Sequence, residues 1–194
     1  MGTASRRERE RADRRRLIID TARELAEAQG WEAVTVRRLA ERIEYSQPVL
    51  YSHFAGKTDI VSAVAEEGFA ELAALLRRAR EGADGPASAV AAVARDYLDF
   101  AADRPALYDA MFLMEVTLEF GPAAPQPLKD GFAELITVFR PFAAADPETF
   151  TEVAWGALHG LATLDRGGRL RPGHRDERLR LLVAGWTAGV AIPE

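Results

Sequence analysis

The chain contains no cysteine, which excludes a disulfide framework, thiolate metal sites and cysteine nucleophiles. Histidine is scarce, with three residues in all. His53 lies in a short aromatic-rich stretch and His174 in a Gly/Pro-rich loop, and neither has an obvious orienting carboxylate. There is no Gly-rich phosphate loop, no Gly-x-Ser-x-Gly and no His/Glu spacing suited to a metal. No catalytic residue, metal or cofactor is therefore expected, and the chain does not read as an enzyme. No run approaches the roughly 18 apolar residues that span a bilayer. The N-terminal MGTASRRERERADRRR has basic residues with no apolar segment behind them, so it is not a secretory signal. A cytoplasmic protein with no membrane partner is the expectation. Repeats, low-complexity tracts and long segments of strand period are also missing.

What is present is ordinary for a soluble globular protein: 194 residues, 48% hydrophobic and 28% charged, enough to bury a sizeable core. The net charge of −5 hides an asymmetry. Residues 1–57 hold twelve basic and nine acidic side chains, a balance of +3, which leaves −8 for the remaining 137 residues. A basic end on an acidic body suits contact with a polyanion at that end; a solvated tail with chance bias is the alternative.

The periodicity is helical throughout. Residues 14–29 place Ile18, Ala22, Leu25 and Ala26 on one face, with Gly30 as a stop. Thr35 can cap the next helix, which buries Val36, Leu39, Ala40 and Ile43 and shows Arg37, Arg38 and Arg42 to solvent. After the break Glu44-Tyr45-Ser46, Pro48 begins a third helix over 47–53, because proline fits a first turn whose N–H groups lack intrahelical partners. Ser46 is its expected cap.

Two helices joined by so short a turn and braced by a longer one form a helix-turn-helix. The second of the pair reads the DNA major groove with its N-terminal residues, here Gln47, Pro48 and Val49. Glutamine can pair bidentately with adenine, and proline and valine can meet a thymine methyl. Tyr51, His53 and Lys57 are placed for phosphates, Leu50 and Phe54 for the core. Thr35, Arg37 and Ser46 complete the expected DNA-facing set.

At this point residues 18–64, IIDTARELAEAQGWEAVTVRRLAERIEYSQPVLYSHFAGKTDIVSAV, resemble the TetR-type transcriptional regulators. The most specific part is VLYSHFAGKTDI, which matches the family pattern Leu-Tyr-x-His-Phe-x-x-Lys-x-x-Leu with Ile60 in the last place. Where the family usually has Gly-Val in the turn, this chain has Glu44-Tyr45; a left-handed conformation there would cost a non-glycine residue about 1 kcal/mol. The segment VAWGALHGLATL, residues 153–164, resembles the Trp-x-x-x-His-Gly signature of one C-terminal class of these regulators. The resemblance implies a homodimer on a double-stranded, pseudo-palindromic operator, controlled by a small molecule and most often a repressor. A helical small-molecule-binding protein without sequence-specific DNA binding remains the rival.

The expected architecture is all-α: a helix-turn-helix domain with a basic N-terminal arm over 1–60 and a helical effector-binding and dimerisation domain over 61–194. A long helix over 58–80 buries Val61, Ala65, Leu72 and Leu76. Further helices are expected at 87–103, 105–120, 127–144, 147–165 and 175–190. Large apolar residues crowd this body, and most must be core. Methionine with aromatics also makes an adaptable lining for an apolar or aromatic effector. The candidates are Tyr108, Met111, Phe112, Glu115, Phe139, Trp155 and His159, with His159 also readable as a packing histidine. For a dimer interface the candidates are Gly156 and Gly160, where a helix can approach closely, and the stripe Leu179, Leu182, Val183, Trp186 and Val190 on the last helix.

Overall fold

The computed structural model describes residues 3–188, and every regular element among them is helical. Nine α-helices follow one another: α1 Thr3–Gln29, α2 Val36–Arg42, α3 Gln47–Tyr51, α4 Lys57–Glu81, α5 Pro86–Asp103, α6 Pro105–Phe112, α7 Gln126–Phe139, α8 Pro147–Arg166 and α9 Arg175–Thr187. The all-α expectation holds. The described residues form two compact units, one made of the chain up to Gly68 with Arg104–Pro125, the other of Phe69–Asp103 and the chain from Gln126 on. Where the sequence suggests one cut near residue 60, the chain passes between the units three times, after Gly68, Asp103 and Pro125.

In the first unit, α1 buries Ile18, Ala22, Leu25 and Ala26, as its periodicity requires. Gly30 stops it at φ 78°, a left-handed conformation that glycine adopts without a Cβ clash. The helix begins much earlier than expected, and the basic arm is its first half. Ion pairs four residues apart explain this: Arg6 with Glu10 at 2.8 Å and Arg14 with Glu10 at 3.6 Å, each worth a few tenths of a kcal/mol. Tertiary contacts add to them, because Arg11 donates to the Ser52 carbonyl at 3.4 Å and the Arg15 guanidinium lies over the Phe54 ring.

Helix α6 ends at Phe112, eight residues before the expected end. Beyond it the chain runs without regular structure to Phe120. Val116 and Thr117 are β-branched and disfavour a helix, and the Thr117 N–H and hydroxyl both donate to Ser62 Oγ on α4, at 2.8 and 3.0 Å. The Ser62 hydroxyl itself donates to the Thr58 carbonyl.

The second unit is built from the C-terminal half of α4 with α5, α7, α8 and α9. Leu72 and Leu76 are buried as expected, with Val90, Val93, Tyr97, Leu135, Phe139 and Leu158. Glu134 of α7 accepts from Arg77 Nε at 2.7 Å and Arg80 Nε at 2.8 Å, both on α4. Burial would raise the Glu134 carboxyl, but the bonds from Arg80 and Arg77 outweigh it and hold the group below its ordinary value. Asp146 caps α8 through the amides of Glu148 and Thr149. No described helix is long and apolar enough to cross a membrane.

Candidate nucleic-acid interface

Helix α2 begins as its sequence demands. Thr35 has extended backbone angles and its hydroxyl accepts from the Arg38 N–H at 3.2 Å. Arg38 is tied back to the end of α1, donating to Gln29 at 2.8 Å and to the Ala33 carbonyl at 3.3 Å. Arg37 is exposed and pairs with Glu41 at 2.8 Å, a surface pair that a phosphate can replace at small cost.

The turn after α2 closes in the left-handed conformation. Glu44 has φ 58° and, among the described residues, is the one non-glycine residue with positive φ; the Tyr45 N–H returns to the Ala40 carbonyl at 3.0 Å. Glu44 thus takes up the conformation that glycine would hold more cheaply, at a cost of about 1 kcal/mol.

Helix α3 carries Pro48 in its first turn and runs only to Tyr51, two residues short of the expected end. Ser52 closes it, donating its hydroxyl to the Val49 carbonyl at 2.6 Å. Ser46 occupies the N-cap position with extended angles, but its side chain makes no capping bond, so the expected cap by its hydroxyl is not formed. Leu50 and Phe54 are buried and anchor the helix. Ser46, Gln47, Pro48 and Tyr51 are exposed, and Val49 is half-buried. An exposed row led by Gln47 is what groove reading requires.

His53 is half-buried. Burial, and after it the charges of Arg11, Arg14 and Arg15, lower its pKa. Beside a phosphate its ring can donate a hydrogen bond. Lys57 does more than the sequence suggests. Its ammonium donates to the Trp31 carbonyl, bracing the start of α4, and with three N–H donors it is not exhausted by that bond. Asp59, in the first turn of α4, accepts from the Ala55 N–H at 2.9 Å.

The expected effector residues fall in both units. In the first, Tyr108 and Met111 are wholly buried, and Phe112 lies against Tyr108 with ring centroids 4.7 Å apart. Glu115 is exposed in the irregular segment. In the second, Phe139 is wholly buried between Phe150 and Trp186, at 6.0 and 5.2 Å. Trp155 donates its indole N–H to the Tyr97 hydroxyl at 2.9 Å, and His159 lies 6.2 Å from the Trp155 ring. Burial lowers the His159 pKa. Tyr97, a core residue by its sequence, is not among the expected effector residues. A hollow of about 20 Å³ in the second unit is lined by Leu98, Ala102, Leu161, Asp165, Arg175 and Arg178 among others, and by none of the seven expected residues. It has room for about one water.

The stripe expected at a dimer interface points differently. Leu179 is 5% exposed and Trp186 packs edge-on against Phe139, while Leu182 and Val183 are half-buried. Leu179 and the Trp186 contact thus pack within the second unit, and Leu182 and Val183 keep part of their surface open. The reason is phase: one helical face further round, Leu181, Ala184, Gly185 and Ala188 are all exposed. Val190 lies outside the described residues. On α8, Val153, Gly156 and Leu164 are exposed and Ala157 and Gly160 half-buried, and a Cβ on either glycine would meet nothing within 4 Å.

A helix-turn-helix whose last helix exposes Gln47, Pro48 and Tyr51 defines the class of the first unit. Comparison with known proteins agrees. Residues 18–64 match the family model "Bacterial regulatory proteins, tetR family", and residues 90–185 match "Tetracyclin repressor-like, C-terminal domain". The chain belongs to the TetR family of bacterial regulatory proteins. The class C tetracycline repressor protein of Escherichia coli is 48% identical over 52 residues, 27% of this chain and 24% of that protein. The uncharacterized HTH-type transcriptional regulator YobS of Bacillus subtilis (strain 168) is 30% identical over 98 residues, 50% of this chain and 51% of that one. The chain thus spans from a quarter to a half of the length of these relatives. Among solved structures, a protein of unknown function from Rhodococcus sp. RHA1 has a TM-score of 0.76 at 27% identity, covering 91% of this chain and 95% of that one. The fatty acid degradation regulator FadR of Bacillus halodurans shares the fold at a TM-score of 0.68 and 16% identity, over 88% and 95% of the two chains.

Proposed function

We propose that the chain is a ligand-responsive transcriptional regulator, a repressor, that binds a pseudo-palindromic DNA operator as a homodimer in the cytoplasm. The observation that carries this reading is α3. It is a five-residue helix started at Pro48, anchored by buried Leu50 and Phe54, and it presents Gln47 and Pro48 to solvent. Gln47, Pro48 and Val49 read bases. Tyr51, His53 and Lys57 meet phosphates, and Thr35, Arg37 and Ser46 flank them. A cation beside a sheltered phosphate adds affinity without choosing sequence, whereas a bidentate glutamine chooses sequence.

The homodimer forms through α8 and α9. Val153 is 68% exposed and Leu181 57% exposed, and each begins a face of small residues, Gly156, Ala157 and Gly160 on one helix, Ala184 and Gly185 on the other. Two such faces from each copy can pair closely about a two-fold axis. The half-sites would then lie about 34–36 Å apart, or a multiple of that, as successive major-groove faces require.

The effector is a small, mostly apolar or aromatic molecule bound in the C-terminal body. In the second unit, Trp155, His159 and Phe139 are the residues proposed to meet it; Tyr108, Met111, Phe112 and Glu115 are the candidates of the first unit. Selection from random duplexes with the full chain tests the function. Recovery of a two-fold symmetric sequence is the expected result, and enrichment of no sequence would reject it in favour of a helical ligand-binding protein.

A further inference from the structure

The connection from α8 to α9 is basic in a body that is acidic. Residues 165–180 hold six arginines against Asp165, Asp176 and Glu177, a balance of +3 where residues 58–194 as a whole carry −8. The chain turns back sharply there. Gly167 ends α8, and Gly168 and Gly173 take φ 63° and 75°, left-handed values that cost glycine little. The turn brings the last residues of α8 beside the first of α9, and both meet the end of α5 round the hollow of about 20 Å³. All of these residues belong to the second unit.

The hollow has an apolar floor and a charged rim. Leu98 and Ala101 of α5 and Ala162 of α8 are buried beneath it, with Leu161 half-buried beside them. At the rim stand Arg166, Arg175 and Arg178, all half-buried, while Ala102 and Asp165 are exposed and mark its mouth. Asp165 accepts from Arg178 Nη2 at 3.0 Å, and Arg178 Nη1 donates to the Arg171 carbonyl at 3.0 Å, which fixes that side chain. Arg175 is held less fully. An Asp99 carboxylate oxygen stands 2.7 Å from its Nη2, yet this buried nitrogen makes no hydrogen bond among the described residues, so the pair is one of charge without alignment. Three arginines against two aspartates leave one positive charge above an apolar floor.

We propose that this hollow binds a short-chain carboxylate, its alkyl end on Leu98, Ala101 and Ala162 and its carboxylate against Arg175 and Arg166. The volume suits a methyl-sized group. A water would fit it too, but a buried water needs about two to four polar partners, and the floor offers none. A wholly polar oxyanion such as phosphate would suit the arginines and leave the floor unmatched. A carboxylate accepts the parallel N–H pair of a guanidinium, and a short alkyl end takes its apolar surface out of water. The site is separate from the residues proposed to meet the effector, none of which lines the hollow. It does not rest on DNA binding.

The test titrates the full chain, without DNA, with sodium propionate, with propionamide and with inorganic phosphate, at one ionic strength set by sodium chloride. Methyl signals of Leu98, Ala101 and Ala162 report on the floor. Propionate should shift them saturably at about 1–10 mM, as befits so small a ligand. Propionamide and phosphate should bind at least about tenfold more weakly. Arg175→Gln should weaken propionate by about tenfold or more. Ala102→Leu, at an exposed position, should close the mouth and block binding with every charge retained, and it decides the matter if Arg175→Gln folds poorly. Signals that do not move, a response that sodium chloride alone reproduces, propionamide or phosphate as effective as propionate, or unchanged binding in either folded variant would overturn the proposal.

Discussion

The guanidinium of Arg15 lies 4.9 Å from the centroid of the Phe54 ring. Phe54 is buried and closes the reading helix from below, so the basic half of α1 is fastened to the helix-turn-helix. Arg15→Ala should cost about 0.5–1 kcal/mol of stability, the worth of an exposed cation–π pair, measured as a lower midpoint in thermal melting. Deleting residues 1–12, which include Arg6, Arg7, Arg9 and Arg11, should weaken binding to all duplexes at low salt and leave the selected sequence as it was. A changed sequence preference would mean that the arm reads bases.

Glu44 holds a left-handed conformation beside the surface proposed to meet DNA. Glu44→Gly should therefore gain up to about 1 kcal/mol of stability, the relief of strain less the entropy glycine brings to the unfolded chain. It should also tighten DNA binding by removing a negative charge. Denaturant unfolding and a binding titration check the two halves separately.

How much of this was legible in the sequence depends on whether the determining interaction is local. Thr35 as a cap, Gly30 as a stop and Pro48 as a start were readable because each acts within one helical turn. The buried set Leu50, Phe54, Val61, Ala65, Leu72 and Leu76 was readable from spacing. The end of α6 was not, because it depends on a bond from Thr117 to Ser62, 55 residues away. Nor was the direction of α9, since Leu179 and Leu181 are equally apolar and only tertiary packing decides which is covered. The helical extension of α1 could have been found: Arg6, Glu10 and Arg14 recur at a spacing of four, a signal outweighed by the basic, tail-like composition.

The proposed dimer face makes a specific demand. Val153→Glu places a charge on an exposed position of one chain, so folding should hardly change, but in a dry interface the unpaired charge costs several kcal/mol. Light scattering should report a monomer, with operator affinity much reduced. Trp186→Ala should behave in the opposite way, losing about 1–3 kcal/mol of stability through the lost contact with Phe139. A Val153→Glu protein that remained dimeric would place the interface elsewhere.

Glu134 gives the second unit an acid-sensitive tie. Its folded pKa lies below the ordinary value, so its contribution is present above the unfolded pKa of about 4.3 and is lost as pH falls through the folded value. Glu134→Gln should cost about 1–2 kcal/mol near pH 7, less than a fully buried pair because Arg77 stays half exposed to water. Stability measured against pH should show the gap between the two proteins narrowing below about pH 4.

If α3 reads DNA while cations around it hold the phosphates, affinity for the selected operator must depend on salt in a defined way, for wild type and for Gln47→Ala alike. A protein with about 6–10 phosphate contacts should lose roughly 10³-fold to 10⁵-fold in affinity between about 50 and 200 mM salt. Gln47→Ala should keep that slope and lose about 1–3 kcal/mol of preference at a single base position. Affinity indifferent to salt, or a Gln47→Ala protein that selects the unchanged sequence with undiminished preference, would contradict the account.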